Sequence, residues 1–226
     1  VTVILAEDPK RPYETMRAFL VDARTPGFAV TRVEHKMGQR ASPEAELTFT
    51  DMFVPDERVL GRPGDGVAAT AAVLAGSRPV VGAIGTGIAR GAYERLLSWL
   101  QSDPAAGGLL GHQQVQLALA RMQELIHSAR QSYLDAATEF DMVSMGRMMD
   151  LPAVKALARL PRRARTNRLA GSRMRAESST RLLMALVSRY VGDAVLTRSL
   201  GLSSLAKAQG ADVAMEVTGL ALEIAG

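Results

Sequence analysis

The sequence has no cysteine in 226 residues. That excludes a disulfide-stapled scaffold, a thiolate metal site and a thiol nucleophile, and it fits a reducing cytoplasm. Histidine is nearly as scarce. His35, His112 and His127 lie far apart, without the spacing of a zinc ligand set, so no metal site is expected. Aromatic residues make up 4% of the chain. With so few rings and no groove-reading motif, nucleic acid is not an expected partner. No uninterrupted apolar run approaches the roughly 20 residues of a membrane span, so none is expected. The chain opens VTVILAEDP, with no initiator methionine and no signal-peptide pattern. A β-branched run at residue 1 reads as the middle of a strand, so the chain is expected to be an internal part of a longer protein.

What is present changes character near residue 62. Before it, VTVILA, RAFLVDA, FAVTRVEH and AELTFTDMFVP are short, rich in Val, Phe and Thr, and partly alternating. Asp8-Pro9, Thr25-Pro26-Gly27, Ser42-Pro43 and Val54-Pro55-Asp56 punctuate them. This pattern predicts antiparallel strands. After Gly61-Arg62-Pro63-Gly64-Asp65-Gly66, the composition turns to Ala, Leu, Met and Arg with helical spacing. Strands followed by helices, without alternation, predict an α+β protein.

The stretch SRPVVGAIGTGIARG, from Ser77 to Gly91, nearly spells a dinucleotide-binding loop. Such a loop belongs in a βαβ unit, whereas this one lies inside Val67 to Leu100, which reads as helix throughout. Each helical glycine costs about 1 kcal/mol against alanine. Gly82, Gly85 and Gly87, with Ala83, Ala89 and Ala92, are therefore expected to form a small-residue face against a neighbouring helix. A break follows at Pro104 and Gly107-Gly108. Beyond it Val115, Leu119, Met122, Ile126, Ala129, Tyr133 and Ala137 recur at three- and four-residue steps, the stripe of an amphipathic bundle helix.

Five stretches, in order, resemble the acyl-CoA dehydrogenase family. FLVDARTPGFAV and EHKMGQRASPEAELTFTDMFVPDERVLG resemble its middle β-domain. SRPVVGAIGTGIARGAYERLLSWL, GHQQVQLALARMQELIHSAR and SSLAKAQGADVAMEVTGLALEIAG resemble the first, second and last helices of its C-terminal bundle. The resemblance implies that residues 1–62 are the second half of a middle β-domain and 63–226 a C-terminal helical bundle. It also implies FAD between domain and bundle, partly against a neighbouring subunit, and an acyl-CoA or acyl-carrier thioester as substrate. A homo- or hetero-oligomer, dimeric or tetrameric, and an electron-transfer acceptor go with it.

The family's chemistry takes a proton from the carbon α to the thioester and passes a hydride from the β carbon to the flavin. In most relatives the base is a glutamate past a turn that would lie beyond Gly226. In others it precedes the arginine of the Arg-Pro-Val-Val region, where this chain has Ser77, so no catalytic residue is assigned. Ser77 and Arg78 are the substrate-site candidates by resemblance, and Ala75 stands where some relatives have an aspartate that helps hold CoA. His112 and Gln113 match a pair that touches FAD, and Glu223 falls where relatives often place a glutamine near the flavin. The usual arginine for the pyrophosphate is missing from Ser102-Asp103-Pro104-Ala105-Ala106. These departures keep two alternatives open: a catalytically degenerate partner subunit, and a flavin monooxygenase on the same fold. Finally, the stretch from about Met142 to Leu202 reads as a basic helical insertion. Its twelve Lys and Arg face Asp150, Glu177 and Asp193.

Overall fold

The computed structural model describes residues 1–143, Pro152, Lys155 and residues 193–226. Residues 1–69 form one compact unit, and the described residues from Thr70 onward form a second.

The first unit is antiparallel β-structure. Strand β1 (Thr2–Ala6) leads through a short helix, α1 (Pro12–Thr15), to β2 (Met16–Leu20). The Asp8 carboxylate accepts the Lys10 N–H at 2.9 Å, and the Asp8 carbonyl accepts the Arg11 N–H at 3.0 Å. A short acceptor side chain bonding its own backbone two residues on is what turns the chain here. β1 and β2 pair with Thr2 opposite Leu20 and Ala6 opposite Met16, and the short β5 (Val59–Leu60) adds to the far edge of β2. β3 (Phe28–Val33) and β4 (Ala45–Phe49) form a second antiparallel pair, interrupted by a bulge between Val30 and Arg32. Phe28 and Phe49 close this hairpin edge to face, with ring centroids 5.7 Å apart. Gly27, at φ +89°, makes the turn before β3, where an added β-carbon would collide with the Thr50 carbonyl.

Three long helices follow: α2 (Asp65–Ser102), α3 (Gln113–Val143) and α4 (Asp193–Ala225). The chain is thus α+β. In the second unit, Ala89, Leu96 and Leu100 of α2 meet Leu119, Met122, Leu125, Ile126 and Ala129 of α3, and Val213 and Val217 of α4. The α3 stripe read from spacing is this inward face, widened by Leu125 and Ala136. Arg121 pairs with Glu216, Ser128 bonds Gln209, and Arg198 pairs with Glu139. Numbers that rise on α3 therefore fall on α4, so these helices run antiparallel.

The glycine face of α2 is real at two of its three glycines. A β-carbon on Gly82 would stand 2.5 Å from the Ala206 carbonyl oxygen, and one on Gly85 would strike the Gly210 carbonyl. Gly87 is different. It lies on the exposed side of α2 with nothing within 4 Å of its would-be β-carbon. Gly210 on α4, which the sequence pattern does not single out, is packed as closely against α2. On α4 the inward positions run Ser199, Ser203, Ala206, Gly210, Val213, Val217 at alternating steps of four and three. Small residues sit where the backbones touch, and larger ones fill the other end.

Two expectations meet different outcomes. By length and composition α2 could cross a membrane, although no uninterrupted apolar run is that long. Its inward side belongs to the three-helix core, and Pro79 sits inside it, buried. The Met142–Leu202 insertion falls mostly outside the described residues. Its last part, from Asp193, is the beginning of α4 and continues without a break into the final segment.

Candidate functional site

Ser77 and Arg78 lie next to each other on α2 but point differently. At 100° per residue, Ser77 falls in line with Val73, Val80, Val81, Ile84 and Ile88. All six are exposed, with Val80 at 59% and Ile88 at 53%. This is an apolar strip with one hydroxyl. Gly87 and Gly91, both open, extend it as a flat surface without side chains. Arg78 is half-buried at the strip's edge toward α4, and its Nη1 donates to Ser204 Oγ at 2.6 Å. Among the described residues no carboxylate pairs with it. Ala75 is buried at 2%, turned into the helix interface, so it is not at the open strip.

His112, Gln113 and Glu223 occupy the other end of the bundle. His112 follows a 3-10 turn, Leu109–Gly111, and its carbonyl accepts the Gln116 N–H at 3.1 Å, so it starts α3. Gln113 is the first residue of α3, and both side chains are exposed. Glu223 is exposed in the last turns of α4, which the antiparallel packing brings to the same end. Asp103 lies here too, capping its own 3-10 turn: its Oδ1 accepts the Ala105 N–H at 2.8 Å. With Glu223, Asp103 puts two exposed carboxylates at this end of the bundle.

The structure therefore brings His112, Gln113 and Glu223 together at one end and does not bring Ser77 and Arg78 to them. About 37 Å of helix separates Ser77 from Ser102, at a rise of about 1.5 Å per residue. Sequence reading missed Ser204. Its signal was weak, one of a Ser203-Ser204 pair on a helix with no motif around it.

The family description "acyl-CoA dehydrogenase, C-terminal domain" matches residues 64–159. Over 137 residues the chain is 34% identical to "probable acyl-CoA dehydrogenase FadE25" of Mycobacterium tuberculosis, covering 60% of this chain and 35% of that protein. It is 32% identical over 142 residues to cyclohex-1-ene-1-carbonyl-CoA dehydrogenase of Syntrophus aciditrophicus, covering 62% of this chain and 34% of that one. The solved structure of butyryl-CoA dehydrogenase from Megasphaera elsdenii superposes with a TM-score of 0.58 at 25% identity, covering 98% of this chain and 55% of that one. Residues 64–159 thus match the acyl-CoA dehydrogenase C-terminal domain, and about 60% of the chain is similar to proteins of that family. The chain spans about a third of the length of the curated relatives it matches.

Proposed function

We propose that the chain is part of a flavin-dependent oxidoreductase that removes two hydrogens across the Cα–Cβ bond of an acyl thioester, carried on CoA or on a carrier protein. The observation that supports this is the open face of α2. The strip from Val73 to Ile88 suits an acyl chain and would exclude water from it, since removing apolar surface from water is favourable on both sides of the contact. Arg78 at its edge suits an anionic group on the carrier. Ser77 is not the base: a serine hydroxyl does not remove a proton at neutral pH without a basic neighbour. The base of this reading is a carboxylate away from the α2 strip.

FAD is the cofactor of this reading and, when bound, supplies the hydride acceptor. The donor set at the far end fits it in part. His112 and Gln113 are exposed and can donate to its polar groups, whereas Asp103 and Glu223 oppose its pyrophosphate, whose charge needs cations from elsewhere. With about 37 Å of α2 between Ser77 and Ser102, in this reading one cofactor meets both groups through a second copy or a paralogous subunit. This favours an oligomer, with an electron-transfer protein as the acceptor. The acidic pair, Asp103 and Glu223, favours a second reading, a partner subunit without its own flavin.

The test is the visible absorption spectrum of the full-length protein, purified without added cofactor, titrated with FAD and then mixed with butyryl-CoA under anaerobic conditions. Flavin bands near one per chain that bleach on adding the thioester are expected. No flavin and no uptake on titration would overturn the dehydrogenase reading and leave the partner subunit.

A further inference from the structure

We propose that Ser204 of α4 is a positioning residue: it fixes the Arg78 guanidinium at the edge of the α2 strip, with no carboxylate partner among the described residues, to receive a phosphate of the thioester's carrier. This rests on the acyl-thioester reading above. Ser204 Oγ donates its single proton to the Leu200 carbonyl at 2.6 Å, a bond to the preceding turn of its own helix. With that proton committed, the oxygen faces Arg78 as an acceptor, and Arg78 Nη1 donates to it at 2.6 Å. A hydroxyl here does what a carboxylate could not. It orients the guanidinium without cancelling its charge, and among the described residues the other four N–H donors meet no acceptor and are left for a ligand.

The anchor is rigid because the helices are. One turn along α2 from Arg78, Gly82 lies against Ala206 too closely to admit a β-carbon. The Arg78–Ser204 bond therefore spans a fixed gap, and the ordering cost of the long side chain is met before ligand arrives. Arg78 also borders the apolar strip, where Val81 and Ile84 are exposed. The pairing of a planar cation with an apolar runway fits a ligand with a phosphate at one end and an aliphatic chain at the other. Arginine's fork matches phosphate oxygens in pairs.

Binding of two probes to the full-length protein tests this. Butyryl-CoA carries phosphates and butyryl-pantetheine carries none. Ser204→Ala is expected to weaken butyryl-CoA about tenfold, in line with loss of a bond to a charged group. It should leave butyryl-pantetheine within about twofold, while Ser204→Thr, which keeps the hydroxyl, restores binding. Equal affinity of wild type and Ser204→Ala for butyryl-CoA would overturn the inference, and so would equal loss for both probes. A ligand-free readout separates the two readings. The Arg78 guanidinium N–H resonances are expected to be distinct in wild type and to average in Ser204→Ala. If they do so while wild type binds neither probe, the anchor stands and the acyl-thioester reading fails. If they are averaged already in wild type, the anchor fails.

Discussion

Gly210 on α4 lies against the main chain of Gly82 on α2: a β-carbon on Gly210 would stand 2.5 Å from the Gly82 carbonyl oxygen. Main chain meets main chain there, so neither side can give by rotating a side chain. Gly210→Ala is expected to cost at least 2 kcal/mol (about the lower range for overpacking a tight core). A drop in the urea midpoint at unchanged slope would show it.

Gly87 is the control for that argument. It is helical, exposed and has open space at its β-carbon position. Gly87→Ala is expected to stabilise the protein by up to about 1 kcal/mol, by helix propensity alone. Because Gly87 also lies on the α2 strip, the same variant is expected to weaken butyryl-CoA binding. Paired urea denaturation and ligand titration check both signs, and a gain in stability with unchanged affinity would place the ligand elsewhere.

Met122 is fully buried in the first third of α3, inside the three-helix core. Met122→Ala is expected to cost about 2–5 kcal/mol, from lost burial and the cavity left behind. Thermal unfolding measures it.

Asp103 separates two roles. Its carboxylate caps the turn after α2, bonding the Ala105 N–H. Asp103→Asn keeps an acceptor and removes the charge, so stability is expected to hold. If FAD pyrophosphate lies nearby, its affinity is expected to rise two- to fivefold, the size of roughly 1 kcal/mol of repulsion in water. Asp103→Ala, which loses the cap, is expected to cost about 1 kcal/mol. Calorimetric FAD titration beside thermal melts distinguishes the two.

Asp22 provides a pH prediction in the β-unit. Hydrogen bonds from the Arg24 side chain, then from its main-chain N–H, lower the carboxyl from its usual 3.8 to about 2. A depressed acid stabilises the fold above its unfolded value, and that contribution is lost as pH falls through the folded one. The window here runs from about pH 4 down to about 2. An NMR titration of the Asp22 carboxyl is expected to show the low midpoint in wild type and a shift back upward in Arg24→Ala.

Much of this was legible in the sequence. Val, Phe and Thr runs between Pro and Gly turns predicted the antiparallel strands, because pleated backbone and turn geometry are local requirements. The stripe from Val115 to Ala137 predicted the inward face of α3, because burial on a helix has a fixed period. The reading of Ser77–Gly91 as helix followed from the absence of a strand after it. The five family-like stretches were local too, and the family match over residues 64–159 contains two of them.

Other features needed distances that no spacing encodes. Gly82, Gly85 and Gly87 look equivalent along the chain, yet two face α4 and one faces outward. A step of two residues turns a helix by about 200°. Which side meets a neighbour depends on where that neighbour lies. Ser204 is 126 residues from Arg78, and packing alone brings their side chains together. Packing also gathers His112, Gln113 and Glu223 at one end of the bundle and holds Ser77 and Arg78 at the other. The sequence alone determined the main strands and helices, the inward face of α3 and the family resemblance, since these rest on local backbone preference and on residue pattern. The tertiary structure decided which of the candidate residues can share a ligand, since that depends on helix direction and separation in space.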